Sequence, residues 1–260
     1  KNREALYDVT PSPSESPVAV LFVHGYMGYK NWGAWTKFAE KLASTGHRTY
    51  KLNLSHNGTT IENETKFTDL EAFGKGGYWA EWNDIDRFMT QIMEKDKVEQ
   101  FILVGHSRGG GMVALFAKDA RVKQVHCIAP ISNIEARFPK GEKLEQWESE
   151  GVYYHKNGRT NQDMPHYYSQ YEDFLENQST LNIEEAVTRS KADLFVYHGD
   201  KDESVDMIEG IAVAKWGRGF YQNIQGANHT FGVIEPFIDA QLPTHFEELI
   251  EMIKRNILSH

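Results

Sequence analysis

Two kinds of apolar pattern alternate along this chain. Short, nearly unbroken runs recur at Val18–Val23, Gln100–Val104, Val122–Ala129 and Asp193–Tyr197. They read as strands covered on both faces of a parallel sheet, where neither face calls for polar side chains. Between them, Trp35–Ser44, Ile85–Met93 and Met112–Ala117 carry apolar residues at three- and four-residue spacing, the signature of helices with one buried face. In the first of these, Phe38, Ala39 and Leu42 lie opposite Lys37, Glu40 and Lys41, and Gly46 is the expected stop. Arg48–Leu54 and Phe220–Ile224 add strands, while Met207–Lys215 and Thr244–Ile257 add helices.

Pro11, Pro13 and Pro17 make a loop of residues 10–17, with a short strand expected ahead of it, and residues 55–66 form a second, polar loop. The alternation predicts an α/β fold: a mostly parallel sheet with helices on both faces and a ligand site beyond the carboxyl ends of its strands. One long interval interrupts it. Residues 132–190 exceed a simple loop and hold two expected helices, Glu142–Glu150 and Glu172–Asn177. The expectation is therefore a single domain over 1–260 with an inserted cap over 132–190.

Composition changes this picture little. A chain of 260 residues that is 40% hydrophobic can build a substantial core. A formal net charge of −9 counts against nucleic acid or an anionic membrane as the main partner. Cys127 is the only cysteine, so no intrachain disulfide is available, and it is expected to be a buried thiol. No apolar stretch reaches the roughly twenty residues of a membrane span, and no charged-then-apolar leader is visible after Lys1, although one already removed would leave no trace. The reading leans to the cytoplasm and leaves the oligomeric state open.

The chemistry concentrates where strands end. Gly105-His106-Ser107-Arg108-Gly109 follows the Gln100–Val104 run and precedes a helical stretch. This is the G-x-S-x-G nucleophile elbow in its proper context, with small flanking residues permitting a tight turn and helix amides aimed at the serine. A serine hydroxyl needs a base, and the base needs a carboxylate to hold its tautomer. Two later strands end in His198-Gly199-Asp200-Lys201-Asp202 and in Gly226-Ala227-Asn228-His229, in the expected chain order of nucleophile, acid and base. Ser107, Asp202 and His229 are the candidate triad, with Asp200 in reserve as the acid and Asp206 close by. His24, His106 and His198 are assigned structural places in loops and turns. The backbone amides of Tyr26, within His24-Gly25-Tyr26-Met27-Gly28, and of Arg108 are the candidate oxyanion donors.

These segments resemble the α/β-hydrolase superfamily, and more narrowly the small bacterial esterases and peptidase-like hydrolases near the prolyl oligopeptidase and dienelactone hydrolase families. The likeness rests on His24-Gly25-Tyr26, the elbow through Gly110, the His198–Val205 stretch and Gly226-Ala227-Asn228-His229. In similar proteins the last residue of His-Gly-x-x-Asp is the acid, here Asp202, and similar cinnamoyl and feruloyl esterases carry a short cap where this chain has 132–190. The resemblance implies acyl transfer to water through an acyl-enzyme on Ser107, acting on a small-molecule ester with no metal or organic cofactor. A serine at the elbow counts against dehalogenase or epoxide hydrolase chemistry.

The interval carries Trp147, Tyr153, Tyr154, Tyr167, Tyr168, Tyr171 and Phe174. Such residues line a pocket for an aromatic acyl group or merely pack the cap onto its domain, and the sequence supports both readings. Trp32 and Trp35 share that ambiguity. Glu142, Glu145, Glu148 and Glu150 similarly fit either an amine-gripping aminopeptidase or the solvated face of a helix. A catalytically dead binding module is the third reading, and it sits poorly with three intact triad positions.

Overall fold

The structure is a computed structural model, which describes residues 5–259; residues 1–4 and 260, part of the expected 1–260 span, lie outside the described residues. Seven strands form one sheet in the order β1-β3-β2-β4-β5-β8-β9. They are β1 (Tyr7–Thr10), β2 (Val18–Val23), β3 (Thr49–Leu52), β4 (Gln100–His106), β5 (Val122–Ile128), β8 (Asp193–Gly199) and β9 (Phe220–Ile224). β1 runs antiparallel to β3, and every other pairing in this sheet is parallel. The expected α/β architecture is thus the observed one.

Burial explains the central strands. Every residue of β2 after Val18 is buried, and β4 is buried after Gln100. Side chains on the two faces enter separate cores. Leu21, Leu103 and Val125 pack with Ile85, Met89 and Met112 on one face. Phe22, Val104 and Phe195 pack with Trp35, Phe38 and Leu249 on the other. Each fully buried large apolar side chain contributes about 1.5–3 kcal/mol relative to exposure, so the middle of the sheet is its most firmly held part. Cys127 is buried in the first of these cores.

Helices α1 (Trp35–Ala43), α8 (Met207–Gly217) and α9 (Thr244–Ser259) stand close to their expected bounds. Three differences concern the site. α3 spans Tyr78–Asp96 and so begins seven residues before Ile85, because Tyr78, Trp82, Ile85 and Met89 continue one apolar face at four- and three-residue steps. α4 occupies Arg108–Ala114, directly after the serine, and Leu115 to Ala117 then tighten into turns bonded three residues back. A short helix, α2 (Leu70–Lys75), follows the polar loop; its N-cap Asp69 accepts from the Ala72 N–H at 2.9 Å.

The segment 132–190, expected as an inserted cap and called the insert below, lies between β5 and β8. It holds a short 3₁₀ turn at Glu135–Arg137, α5 (Glu142–Glu150), a hairpin of β6 (Val152–Lys156) and β7 (Asp163–Tyr167), α6 (Ser169–Glu176) and α7 (Ile183–Thr188). The sequence pattern indicates both expected helices, one of them shifted by three residues, and misses the hairpin. Val152-Tyr153-Tyr154-His155-Lys156 shows no apolar alternation, because burial fades along it from half-buried Val152 and Tyr153 to exposed Tyr154, His155 and Lys156. Trp147 is the insert's centre, buried and ringed by Phe138, Tyr153, Tyr168 and Tyr171. Among the described residues no helix is long and apolar enough to cross a membrane.

Candidate active site

The turn after β4 places Ser107 at φ +57° and ψ −119°, a conformation that a non-glycine residue holds only when its surroundings enforce it. The enforcement comes from backbone crowding. A β-carbon on Gly105 would stand 2.2 Å from the Gly109 carbonyl oxygen, and one on Gly109 would stand 2.4 Å from that of His24. With both residues lacking side chains, α4 closes against β2 and β4, and the Ser107 N–H donates to the Ile128 carbonyl at 2.8 Å.

The acid and base arrive from neighbouring strand ends. His229 Nδ1 lies 2.7 Å from Asp202 Oδ2 and donates to it, which leaves the imidazole lone pair on Nε2. Asp202 is only 1% exposed and fully engaged. Its Oδ1 accepts from the N–H groups of Ser204 and Val205 at 2.8 and 2.9 Å, and Oδ2 also accepts from His198 Nε2 at 3.2 Å. Burial alone would raise its pKa; the hydrogen bonds from His198 and His229 outweigh burial and hold the carboxyl far below the usual carboxylate range. Asp200 is engaged elsewhere, accepting from the Gly226 N–H at 2.6 Å. Asp206 caps α8 through the Ile208 N–H.

The other histidines have definite places. His24 is buried, donates from Nδ1 to the Gly25 carbonyl and accepts the Leu54 N–H at Nε2; burial depresses its pKa to about 4. His106 donates from Nε2 to the His229 carbonyl at 2.9 Å, and burial takes its pKa to about 3. His198 is fully buried and shares its Nε2–H between Asp202 and the Val205 carbonyl. Sequence reading places these three as structural but misses that two of them support the candidate triad directly, His198 through the acid and His106 through the loop of the base.

The loop of His24 to Gly28 lies against the elbow: a β-carbon on Gly25 would stand 3.1 Å from Ser107 Cβ. Among the described residues the N–H groups of Tyr26 and Arg108 have no protein acceptor. The Arg108 side chain turns away to form a two-point ion pair with Glu81, Nε to Oε2 at 3.0 Å and Nη2 to Oε1 at 2.8 Å, while its guanidinium sits 3.7 Å from the Tyr78 ring centroid. Glu81 went unread in the sequence because α3 was expected to start later; the four-and-three spacing back to Tyr78 is the signal that finds it.

Two clefts meet over Ser107 and His229, of about 880 and 1060 Å³ counting their open mouths. The first runs past Met27, Trp32 and Arg159. The second runs past Tyr78, Arg137, Phe138 and Tyr153. Tyr26 and His155 border both. Of the seven aromatic residues singled out in the insert, Tyr153 alone lines either cleft. Tyr154 is 62% exposed, Tyr167 bonds to Glu71, and Trp147, Tyr168, Tyr171 and Phe174 pack with Phe138 or one another. Glu142, Glu145, Glu148 and Glu150 are exposed and border neither cleft.

Comparison with known proteins agrees with this architecture. Est1E from Butyrivibrio proteoclasticus, solved with ferulic acid bound, superposes with a TM-score of 0.71 at 17% identity, covering 98% of this chain and 94% of that one. A monoacylglycerol lipase of Paleococcus ferrophilus gives 0.71 at 16% identity over 99% of both chains. Mouse alpha/beta hydrolase domain-containing protein 10 gives 0.69 at 18% identity, over 97% of this chain and 93% of that one. No curated protein sequence matches this chain. A family model for the alpha/beta hydrolase fold matches residues 18–160, more than half of the sequence and the whole of the elbow, and the chain belongs to that family.

Proposed function

We propose that this protein is a serine carboxylesterase, hydrolysing small or aromatic carboxylic esters through an acyl-enzyme on Ser107. One observation carries the reading: a serine held in a strained turn faces clefts that also contain His229, whose Nδ1 is hydrogen-bonded at 2.7 Å to a buried, ionised Asp202. In this reading Ser107 Oγ attacks the ester carbonyl as its proton passes to His229 Nε2. The N–H groups of Tyr26 and Arg108 receive the negative oxygen of the tetrahedral intermediate. Collapse breaks the bond to the alcohol, which leaves with the proton from His229. Water then attacks the acyl-enzyme, giving its proton to the same nitrogen, and Ser107 recovers it as the carboxylic acid departs. Asp202 keeps its charge throughout and fixes the ring so that Nε2 is the basic atom.

The two clefts provide one side for the acyl group and one for the alcohol, and the rings of Tyr26, Tyr78, Phe138 and Tyr153 favour a flat acyl group in the second. The ferulic acid bound to Est1E is compatible with that preference. An aminopeptidase reading is weaker, because the glutamates available for gripping an amine face solvent, and Glu81 and Glu209 are already paired with Arg108 and Arg137 of the second cleft.

The test is a panel of short-chain esters, cinnamoyl esters and aminoacyl anilides with wild type and Ser107→Ala. Ester turnover that disappears in a folded Ser107→Ala variant is the expected result. Turnover that survives the substitution removes Ser107 from the chemistry, and anilide cleavage in place of ester cleavage replaces the esterase with a peptidase.

A further inference from the structure

The oxyanion loop is held from outside the sheet domain. Met27, which follows Tyr26, sits at φ +51°, a left-handed conformation costly for a side chain of its kind. Such a loop keeps one shape only where neighbours fix it, and beside Phe73, Arg108 and Asn57 two of those neighbours belong to the insert. Tyr26 Oη is 2.8 Å from His166 Nε2 on β7. Arg159, in the turn of the β6–β7 hairpin, donates to the Met27 carbonyl, and its guanidinium lies over the Trp32 ring.

The direction of the first contact follows from its far end. Gln170 Nε2 faces two backbone carbonyls of α2, Gly74 at 2.8 Å and Phe73 at 3.3 Å, so its amide nitrogen must point there. Its Oε1 therefore accepts from His166 Nδ1 at 3.2 Å, the lone pair of His166 is on Nε2, and the Tyr26 hydroxyl is the donor. His166 cannot shift easily: its ring stacks on Tyr153 at 4.7 Å, and its carbonyl accepts from the buried Trp147 indole at 2.8 Å. Burial holds its pKa near 4, so the accepting nitrogen stays unprotonated at neutral pH.

We infer that His166 and Gln170, with Arg159 as a second clasp, are positioning residues that hold the Tyr26 amide where it meets the oxyanion, so that the insert completes the catalytic machinery instead of acting only as a cover. This rests on the esterase reading, through the role it gives to Tyr26. Opening a preorganised donor by a fraction of an ångström weakens it in the transition state more than in the ground state.

The experiment measures kcat and KM on the best ester of the panel for Tyr26→Phe, His166→Ala, the double variant and His166→Gln, beside Ser107→Ala and with Tm recorded for each. Tyr26→Phe and His166→Ala are expected to lower kcat by about tenfold with KM changed less than about twofold, within the range left by a weakened oxyanion donor. The double variant should fall no further than either single one, because both break the same link. His166→Gln, which retains an acceptor at the position of Nε2, should recover most of the loss, and Arg159→Ala should cost about twofold to threefold. Unchanged kcat in Tyr26→Phe and His166→Ala, or losses that multiply in the double variant, overturns the tether while a dead Ser107→Ala keeps the esterase. An active Ser107→Ala overturns the esterase reading first.

Discussion

The elbow and the insert are built on opposite principles. From Gln100 to Ile131 the turn is shaped by backbone packed on backbone: Gly105 and Gly109 lack the carbons that would collide there, the strained serine follows from them, and remote bonds such as His106 to the His229 carbonyl only fasten a turn already shaped. From Ser132 to Ser190 the defining contacts are between side chains, or from a side chain to another element's backbone. Trp147 bonds to His166, Gln170 reaches back to α2, and Tyr167 reaches Glu71. Backbone sterics write the first region into a short motif; side-chain packing writes the second into no motif at all.

That contrast is open to attack first at the acid. If the elbow's partners are as the geometry suggests, Asp202→Asn should lower kcat/KM by about 10⁴, since the amide cannot hold His229 in the tautomer that leaves Nε2 basic. Asp200→Asn, whose amide oxygen still accepts from the Gly226 N–H, should change it less than about threefold. Equal losses in the two variants would leave the choice of acid to neither.

The second attack is on the insert's centre. Trp147→Ala removes a buried indole and a hydrogen bond to the His166 carbonyl, with an expected destabilisation of about 3–5 kcal/mol by urea unfolding. An insert that holds its shape through this one cluster should lose its structure before the sheet does, visible as a first transition in near-ultraviolet circular dichroism. A single transition with unchanged midpoint would mean that the hairpin does not depend on Trp147.

How much of this is legible beforehand divides along the same line. The strands β2, β4, β5 and β8 announce themselves as apolar runs, and Ser107, Asp202 and His229 by order at strand ends. The hairpin does not, because Tyr153 and His166 face inward where an aliphatic residue would have signalled a strand. Glu81 stays hidden because α3 is expected to start later, and His198, although it shares a motif with Asp202, gives no sign in the sequence that its ring bonds to the acid. The aromatic richness of the insert is visible at once, yet its meaning is mostly packing, with Tyr153 alone of the seven residues singled out there reaching a cleft.

The smallest effect tests whether acid loosens both regions alike. His106 at the elbow and His166 in the insert are buried, with pKa values depressed to about 3 and about 4 from an ordinary 6.5. For such a group the unfolded chain takes up a proton before the folded one does. The stability it contributes is complete above pH 6.5 and drains away as pH falls from there toward the folded value. At pH 5 each is expected to have lost on the order of 1–2 kcal/mol, while Asp202, held ionised far below this window, contributes no change to it. The measurement is the urea midpoint at pH 7, 6 and 5 for wild type and His166→Gln. The variant should start lower but lose less on acidification, its slope reduced by about one proton between pH 6 and 5. If the two slopes coincide, His166 titrates as an open residue would; its ring is then accessible to protons at the site where it meets Tyr26, and the insert is looser than the elbow in the respect that its contacts to the loop of Tyr26 require it to be firm.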